Sequence, residues 1–196
     1  MNSRMQQQLQ LVLELDRLKS ILRRTRIQCA DDRLENSAEH SWHVAMMALL
    51  MQEHANEPVD IERVLKMLLM HDVVEIDAGD TFVYDAAASA QQKEKEMAAA
   101  KRLFGMLPKE QEEELFALWC EFENTQTADA KFAKALDRLI PMMLNFNNQG
   151  IGWRENGVTR QQALTVNRRI DEGSHTLWEY AQQMIEQATE NGWLKA

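Results

Sequence analysis

Apolar residues recur at three- and four-residue spacing along nearly the whole chain. Leu9, Leu11/Val12, Leu15, Leu18 and Leu22 obey this spacing, which predicts a first amphipathic helix over about 5–24. The polar stretch from Gln28 to Leu34 reads as a loop. Asn36, followed three residues later by Glu39, has the form of a capping box, so a second helix is predicted from there to about Glu53. Asn56-Glu57-Pro58 separates it from a third over about Ile61 to Glu75. The pattern fails between Ile76 and Ala88, around Gly79, and an ordered loop is predicted there. Further helices are expected over about Gln91 to Leu107, from Pro108 to about Glu123, and over Ala128 to Asn147. Gly150 to Gly157 reads as a loop, and Thr159 with Gln162 forms a second capping box opening a long terminal helix over about 159–190. No internal repeat or interdomain linker interrupts the chain. The expectation is an all-α helical bundle of about seven helices, one domain over 1–196.

Composition narrows the class. With 7 Gly and 3 Pro in 196 residues, the chain lacks the turn formers of a many-hairpin β protein. Lys plus Arg is 22 and Asp plus Glu 31, a net charge of −9, which argues against binding a nucleic-acid polymer. Cys29 and Cys120 show neither metal-ligand spacing nor a disulfide framework, as expected in a reducing cytoplasm. Met1 to Gln10 lacks the apolar core of a signal peptide. The longest strongly apolar run, Val44 to Met51, is far short of the ~20 residues of a membrane span.

Candidate chemistry lies where polar residues violate the apolar pattern. His40 and His43 stand three apart at the start of helix two. In helix three, Asp72 falls in line with Leu65, Leu68 and Leu69, while His71 shares a face with Val64, Met67, Leu68 and Glu75. Asp137 repeats the anomaly on helix six, beside Leu136 and in line with Ala133 and Ile140, with Arg138 predicted to point away. A buried carboxylate costs several kcal/mol unless paired or bound to a cation. A shared divalent cation would satisfy His71, Asp72 and Asp137 together; the plainer alternative pairs each aspartate with a nearby arginine. The runs Lys93 to Glu96 and Glu110 to Glu114 read as solvated faces, and the 12 methionines as adaptable core filler.

Three segments in order carry a family resemblance. Glu35-Asn36-Ser37-Ala38-Glu39-His40-Ser41, then His71-Asp72-Val73-Val74-Glu75 with Ala78-Gly79-Asp80, then Ala135-Leu136-Asp137-Arg138-Leu139 resemble the motifs of the HD-domain metal-dependent phosphohydrolases. The branch resembled is that of the 5′-deoxynucleotidases, and the likeness covers about residues 15–145. It implies an all-α bundle and one divalent metal ion per chain, of unspecified identity among Mn, Co, Zn, Mg, Ni and Fe, held by His40, His71, Asp72 and Asp137. His43 then falls beside the site or in the core. The chain has no histidine between Asp72 and Asp137, which favours a single ion. The resemblance gives Glu75 and Asp80 catalytic roles, and Arg23, with Arg24 a close second, the substrate phosphate at the end of helix one. Where the related bacterial type has tryptophan beside that arginine, this chain has Arg24, and its connection to the Glu35 motif looks two residues longer. The implied function is a cytoplasmic phosphomonoesterase acting on nucleoside 5′-monophosphates, in a family whose members are commonly homodimers; Trp178 and Trp193 either supply an interface or pack internally. The alternatives are a hydrolase for another small phosphorylated metabolite, or a non-catalytic regulatory protein binding metal and nucleotide.

Overall fold

In a computed structural model, which describes residues 3–81, 83–84 and 89–195 (backbone alone at 89 and 90), the chain is predominantly helical. The predicted loop after Ile76 is covered as far as Thr81 and at Val83 and Tyr84; Phe82 and 85–88 lie outside the described residues.

Helix α1 (Ser3–Glu14) tightens into a 3-10 segment, Leu15–Ser20. The first helix therefore ends earlier than its leucine spacing predicts. Residues beyond it form strand β1 (Leu22–Ile27), which pairs antiparallel with β2 (Arg33–Asn36). The pairs Leu22↔Asn36 and Arg26↔Leu34 enclose an irregularity, four residues along β1 against two along β2. Such bulges re-aim side chains, and here the irregular stretch contains Arg23, Arg24 and Thr25. Its sequence hides the strand: basic residues dominate it, and Leu22 continues the helical leucine spacing although 56% exposed.

Asn36 then caps α2 (Ser37–Met51), with both halves of the capping box formed. Helix α3 (Ile61–Met70), capped by Asp60, gives way to a 3-10 turn at His71–Val74 before a short α4 (Glu75–Ala78). Helices α5 (Ser89–Phe104), α6 (Lys109–Asn124) and α7 (Ala128–Asn147) follow close to their predicted bounds. The expected 150–157 loop contains a helix, α8 (Ile151–Asn156). Asn145 holds it from α7, its Oδ1 accepting the Gly152 N–H at 3.1 Å. A Cβ at Gly152 would lie 2.5 Å from that oxygen, so a larger residue there would displace the Asn145 side chain that holds α8.

The predicted long terminal helix is three: α9 (Arg160–Asn167), α10 (Ile170–Gly173) and α11 (His175–Glu190). The break has a packing cause. A Cβ at Gly173 would stand 2.3 Å from the Lys131 carbonyl oxygen and 2.8 Å from Ala135 Cβ, so α10 lies directly on α7. Ser174, in extended conformation, then restarts the helix by capping Leu177 N–H.

Helix α7 is central, packing against α2, α3, α6, α8, α10, α11 and β1. One apolar cluster joins α2, α3 and α7 to the C-terminal helices. A second, built from Leu11, Val73, Val74, Ile76, Leu103, Phe104 and Trp119, lies under α1 and α5. The His71–Glu75 segment runs between them. Trp178 and Trp193 pack on the first cluster rather than projecting as an interface, Trp193 meeting Phe146 edge-on at 5.5 Å. No helix among the described residues is long and apolar enough to cross a membrane.

Candidate metal centre and substrate cavity

Three elements converge on one buried point. Helix α2 supplies His40, the turn after α3 supplies His71 and Asp72, and α7 supplies Asp137. His40 Nε2 is 3.0 Å from Asp137 Oδ1, and His71 Nε2 is 3.0 Å from Asp72 Oδ1 and 3.4 Å from Asp137 Oδ1. Donor atoms of His40, His71 and Asp72 all lie within 4.8 Å of one another. His71 Nδ1 donates to the Leu68 carbonyl at 2.8 Å, which leaves Nε2 as the nitrogen facing the aspartates. That Nε2 is buried without a hydrogen bond. Two imidazoles and two carboxylates around an unsatisfied nitrogen are a donor set that fits a borderline divalent cation. His43 is not among them; it is half-buried and stacks on Trp42.

The charges are strongly interlocked. Burial disfavours a charged His71, but Asp72 and Asp137 outweigh it and raise its pKa to about 10. Against burial, His71 and then Arg23 hold Asp72 below the usual carboxylate range; His40 and His71 do the same for Asp137. Arg23 Nη1 donates to Asp72 Oδ2 at 2.6 Å and lies 3.7 Å from Glu75 Oε1 and 3.9 Å from Asp80 Oδ1. Asp72 thus has both an arginine partner and a place in the donor cluster, whereas Asp137 faces histidines.

Glu75 is buried at the start of α4, its Oε2 accepting from Ser37 Oγ at 2.5 Å. Burial first, then Asp72 and Asp80, push it up to about 9 against the pull of Arg23. Burial also raises Asp80, against Arg23.

A cavity of about 460 Å³ opens from this centre. Arg23, Arg24, His71, Asp72, Glu75, Asp80 and Asp137 line one end; Tyr84, Trp153 and Asn167 help form the other. Arg24 is exposed and near enough to Asp80 to favour its ionised form.

A family model described as HD domain matches residues 15–178. The chain belongs to the HD-domain family. Among solved structures, a predicted metal-dependent phosphohydrolase from Magnetospirillum magnetotacticum MS-1 is 49% identical, with a TM-score of 0.94 over 99% of this chain and 97% of that one. The 5′-deoxynucleotidase HDDC2 of Xenopus laevis is 32% identical over 66% of this chain and 63% of its own length; that of Bos taurus is 34% identical over 53% and 49%. The chain therefore spans about half to just under two thirds of the length of these two curated relatives.

In this HD chain every site residue expected from the motifs reaches one cavity or its edge, with His40 buried at the centre. The surroundings differ from expectation in several places. Arg23 stands on β1, not at a helix end, because the first helix stops early. Arg138 does not point away: with Lys134, Asp137, Pro141, Met142 and Asn145 it lines the cavity from a single face of α7. Glu96, read as part of a solvated run, is half-buried and also lines it.

Sequence reasoning gave no role to Glu35, Ser37 or Lys134. Glu35 Oε2 lies 3.6 Å from both His40 Nδ1 and Arg23 Nε. Lys134 is buried, 3.0 Å from Glu123 Oε1 and over the Phe122 ring. A signal existed for two of them: Glu35 and Ser37 fall inside the first motif. Lys134 lies one turn before Asp137 on the same helix.

Proposed function

We propose that this chain is a metal-dependent phosphomonoesterase acting on nucleoside 5′-monophosphates. His40, His71, Asp72 and Asp137 would hold one divalent cation. Glu75 and Asp80 manage protons, and Arg23 and Arg24 meet the substrate phosphate. The observation that carries this reading is the convergence of four histidine and aspartate donors on one buried point, with His71 Nε2 unsatisfied, at the end of a cavity far larger than a phosphate. The names of the relatives agree with it.

A divalent cation bound there supplies Lewis acidity and a more acidic water. The chain's own groups do the rest. Arg23 keeps Asp72 ionised and offsets the carboxylates that would otherwise repel a phosphate. Burial and the neighbouring carboxylates favour the protonated form of Glu75; Ser37 occupies its Oε2, leaving Oε1 to pass a proton to the departing 5′-oxygen. Asp80, at the cavity wall, orients water or accepts a hydroxyl from the sugar. Arg24 adds positive charge where an anion enters.

The test is phosphate release from nucleoside monophosphates with Mn, Co, Zn, Mg, Ni or Fe added in turn. Turnover with at least one metal is expected, and Glu75→Gln should retain the metal while losing about 10²–10⁴-fold in kcat. A metal-loaded protein inert toward every nucleotide would overturn the reading.

We also propose a homodimer in a reducing, cytoplasmic setting. Trp42, Met46, Leu49 and Leu50 form an exposed apolar stripe on α2, and Leu9, Val12 and Leu13 another on α1. The two cysteines are free, Cys29 exposed and Cys120 half-buried. Sedimentation equilibrium should give twice the 22.7 kDa chain mass at micromolar concentration; a monomer there would refute it.

A further inference from the structure

Six basic side chains line the cavity; Arg24, Lys93 and Arg169 are exposed, and of the three that are buried or half-buried two are already engaged. Arg23 is tied to Asp72, with Glu35, Glu75 and Asp80 within 4 Å. Lys134 is paired with Glu123. Arg138 differs: among the described residues no carboxylate lies in ion-pair range, and its Nε is buried without a hydrogen bond. A buried N–H left without an acceptor is costly, and more so on a charged group. The cavity is where an acceptor would come from.

Arg138 lines the cavity on the side of Tyr84. Its charge is felt at the Tyr84 hydroxyl, whose pKa burial raises and Asn167, Trp153 and Arg138 pull back. That hydroxyl accepts from Asn167 Nδ2 at 3.2 Å, and Asn167 is fixed in turn by the Ala163 carbonyl at 2.8 Å. Tyr84 and Asn167 thus form a wall whose polar groups are hydrogen-bonded, beside an Arg138 guanidinium whose buried Nε is not.

A guanidinium binds best where two acceptors lie side by side in its plane. With the phosphate of a nucleoside monophosphate at the carboxylate end, the group that reaches the far end is the base. A 6-oxopurine presents adjacent acceptors, O6 and N7. Adenine replaces the first with an amino donor, which sets N–H against N–H. We infer that Arg138 is a specificity-determining residue that reads the acceptor edge of the base, favouring 6-oxopurine nucleotides over adenine nucleotides. This inference rests on the nucleotide reading above.

The test compares kcat/KM for the 5′-monophosphates of deoxyguanosine, deoxyinosine and deoxyadenosine, and for deoxyribose 5-phosphate, with metal-loaded wild type, Arg138→Met and Arg138→Lys. Wild type should prefer both 6-oxopurine substrates over the adenine one by at least tenfold. Arg138→Met should bring that ratio close to one. Arg138→Lys, which keeps the charge but loses the fork, should fall between. Absence of a wild-type preference would overturn the inference, as would a loss in Arg138→Met of equal size on deoxyribose 5-phosphate, which has no base. If no substrate turns over although metal is bound, the phosphomonoesterase reading is what fails. Calorimetric affinities of the same nucleotides for wild type and Arg138→Lys then decide the role of Arg138 by the same ratio.

Discussion

Three buried polar atoms meet at Glu35: its own Oε2, with His40 Nδ1 and Arg23 Nε each 3.6 Å from it, and none hydrogen-bonded. A carboxylate behind the outer nitrogen of a histidine fixes the ring and makes its inner nitrogen a better ligand. Glu35 lies behind His40 on the side where the Leu68 carbonyl lies behind His71, at 3.6 Å where that carbonyl is hydrogen-bonded at 2.8 Å. Unlike that carbonyl, it also anchors the arginine that pairs with Asp72, so one side chain sets the position of two site residues. Glu35→Gln keeps the shape but removes the charge. Metal affinity is expected to fall about 10–100-fold, measured by competition against a chelating dye. Unchanged affinity would show that His40 is oriented without it. His71, Asp72 and Asp137 were legible in the sequence because a polar residue inside a leucine stripe is an anomaly that demands a partner; His40 was told from His43 only by the family motif. Glu35 was not legible, because its strand carries no such stripe to violate.

Elements show a similar division between what pattern reveals and what packing decides. The helices α2 and α7 that carry His40 and Asp137 follow from spacing and capping residues with bounds close to expectation, whereas α3 starts as predicted but yields to a 3-10 turn at His71–Asp72. The hairpin does not follow from spacing, since Leu22-Arg23-Arg24-Thr25-Arg26-Ile27 has no clean alternation and its pairing partner lies beyond a turn. Nor does the cavity face of α7: a helix read as inside against outside has no category for Arg138, which lines an internal space. The C-terminal break is a third case. Residues 159–190 support continuous helix locally, and only the approach of α10 to α7 interrupts it. Gly173→Ala tests that cause, because the added Cβ meets the Lys131 carbonyl and Ala135 Cβ on the far side of the helix that carries Asp137. A loss of about 1–3 kcal/mol is expected, as for other overpacked sites. At ~2–4 °C per kcal/mol for a chain of this size, the fall in Tm is readable by thermal melting. An unchanged Tm would mean that α10 can move off α7 freely.

At the scale of the molecule, the formal charge of −9 is unevenly placed. Asp72, Glu75, Asp80 and Glu35 crowd one internal region around Arg23, while Asp137 faces His40 and His71, and buried carboxylates oppose folding unless cations offset them. A divalent cation in the donor cluster relieves that opposition and ties α2, the turn after α3 and α7 together between the two apolar clusters. Because the donors are brought together only by folding, metal binding is linked to stability. The expectation is a Tm that rises with free metal, by the equivalent of about 2.7 kcal/mol at a metal concentration a hundred times Kd, and falls back on adding chelator. Asp137→Asn separates this from nonspecific ion effects. It removes the donor that faces both histidines but retains the shape of the helix face, so its Tm should lose the metal-dependent rise. Wild type that melts at one temperature with metal and with chelator, or an Asp137→Asn variant that keeps the full increment, would show that the buried histidine–aspartate cluster is satisfied by its own internal pairing.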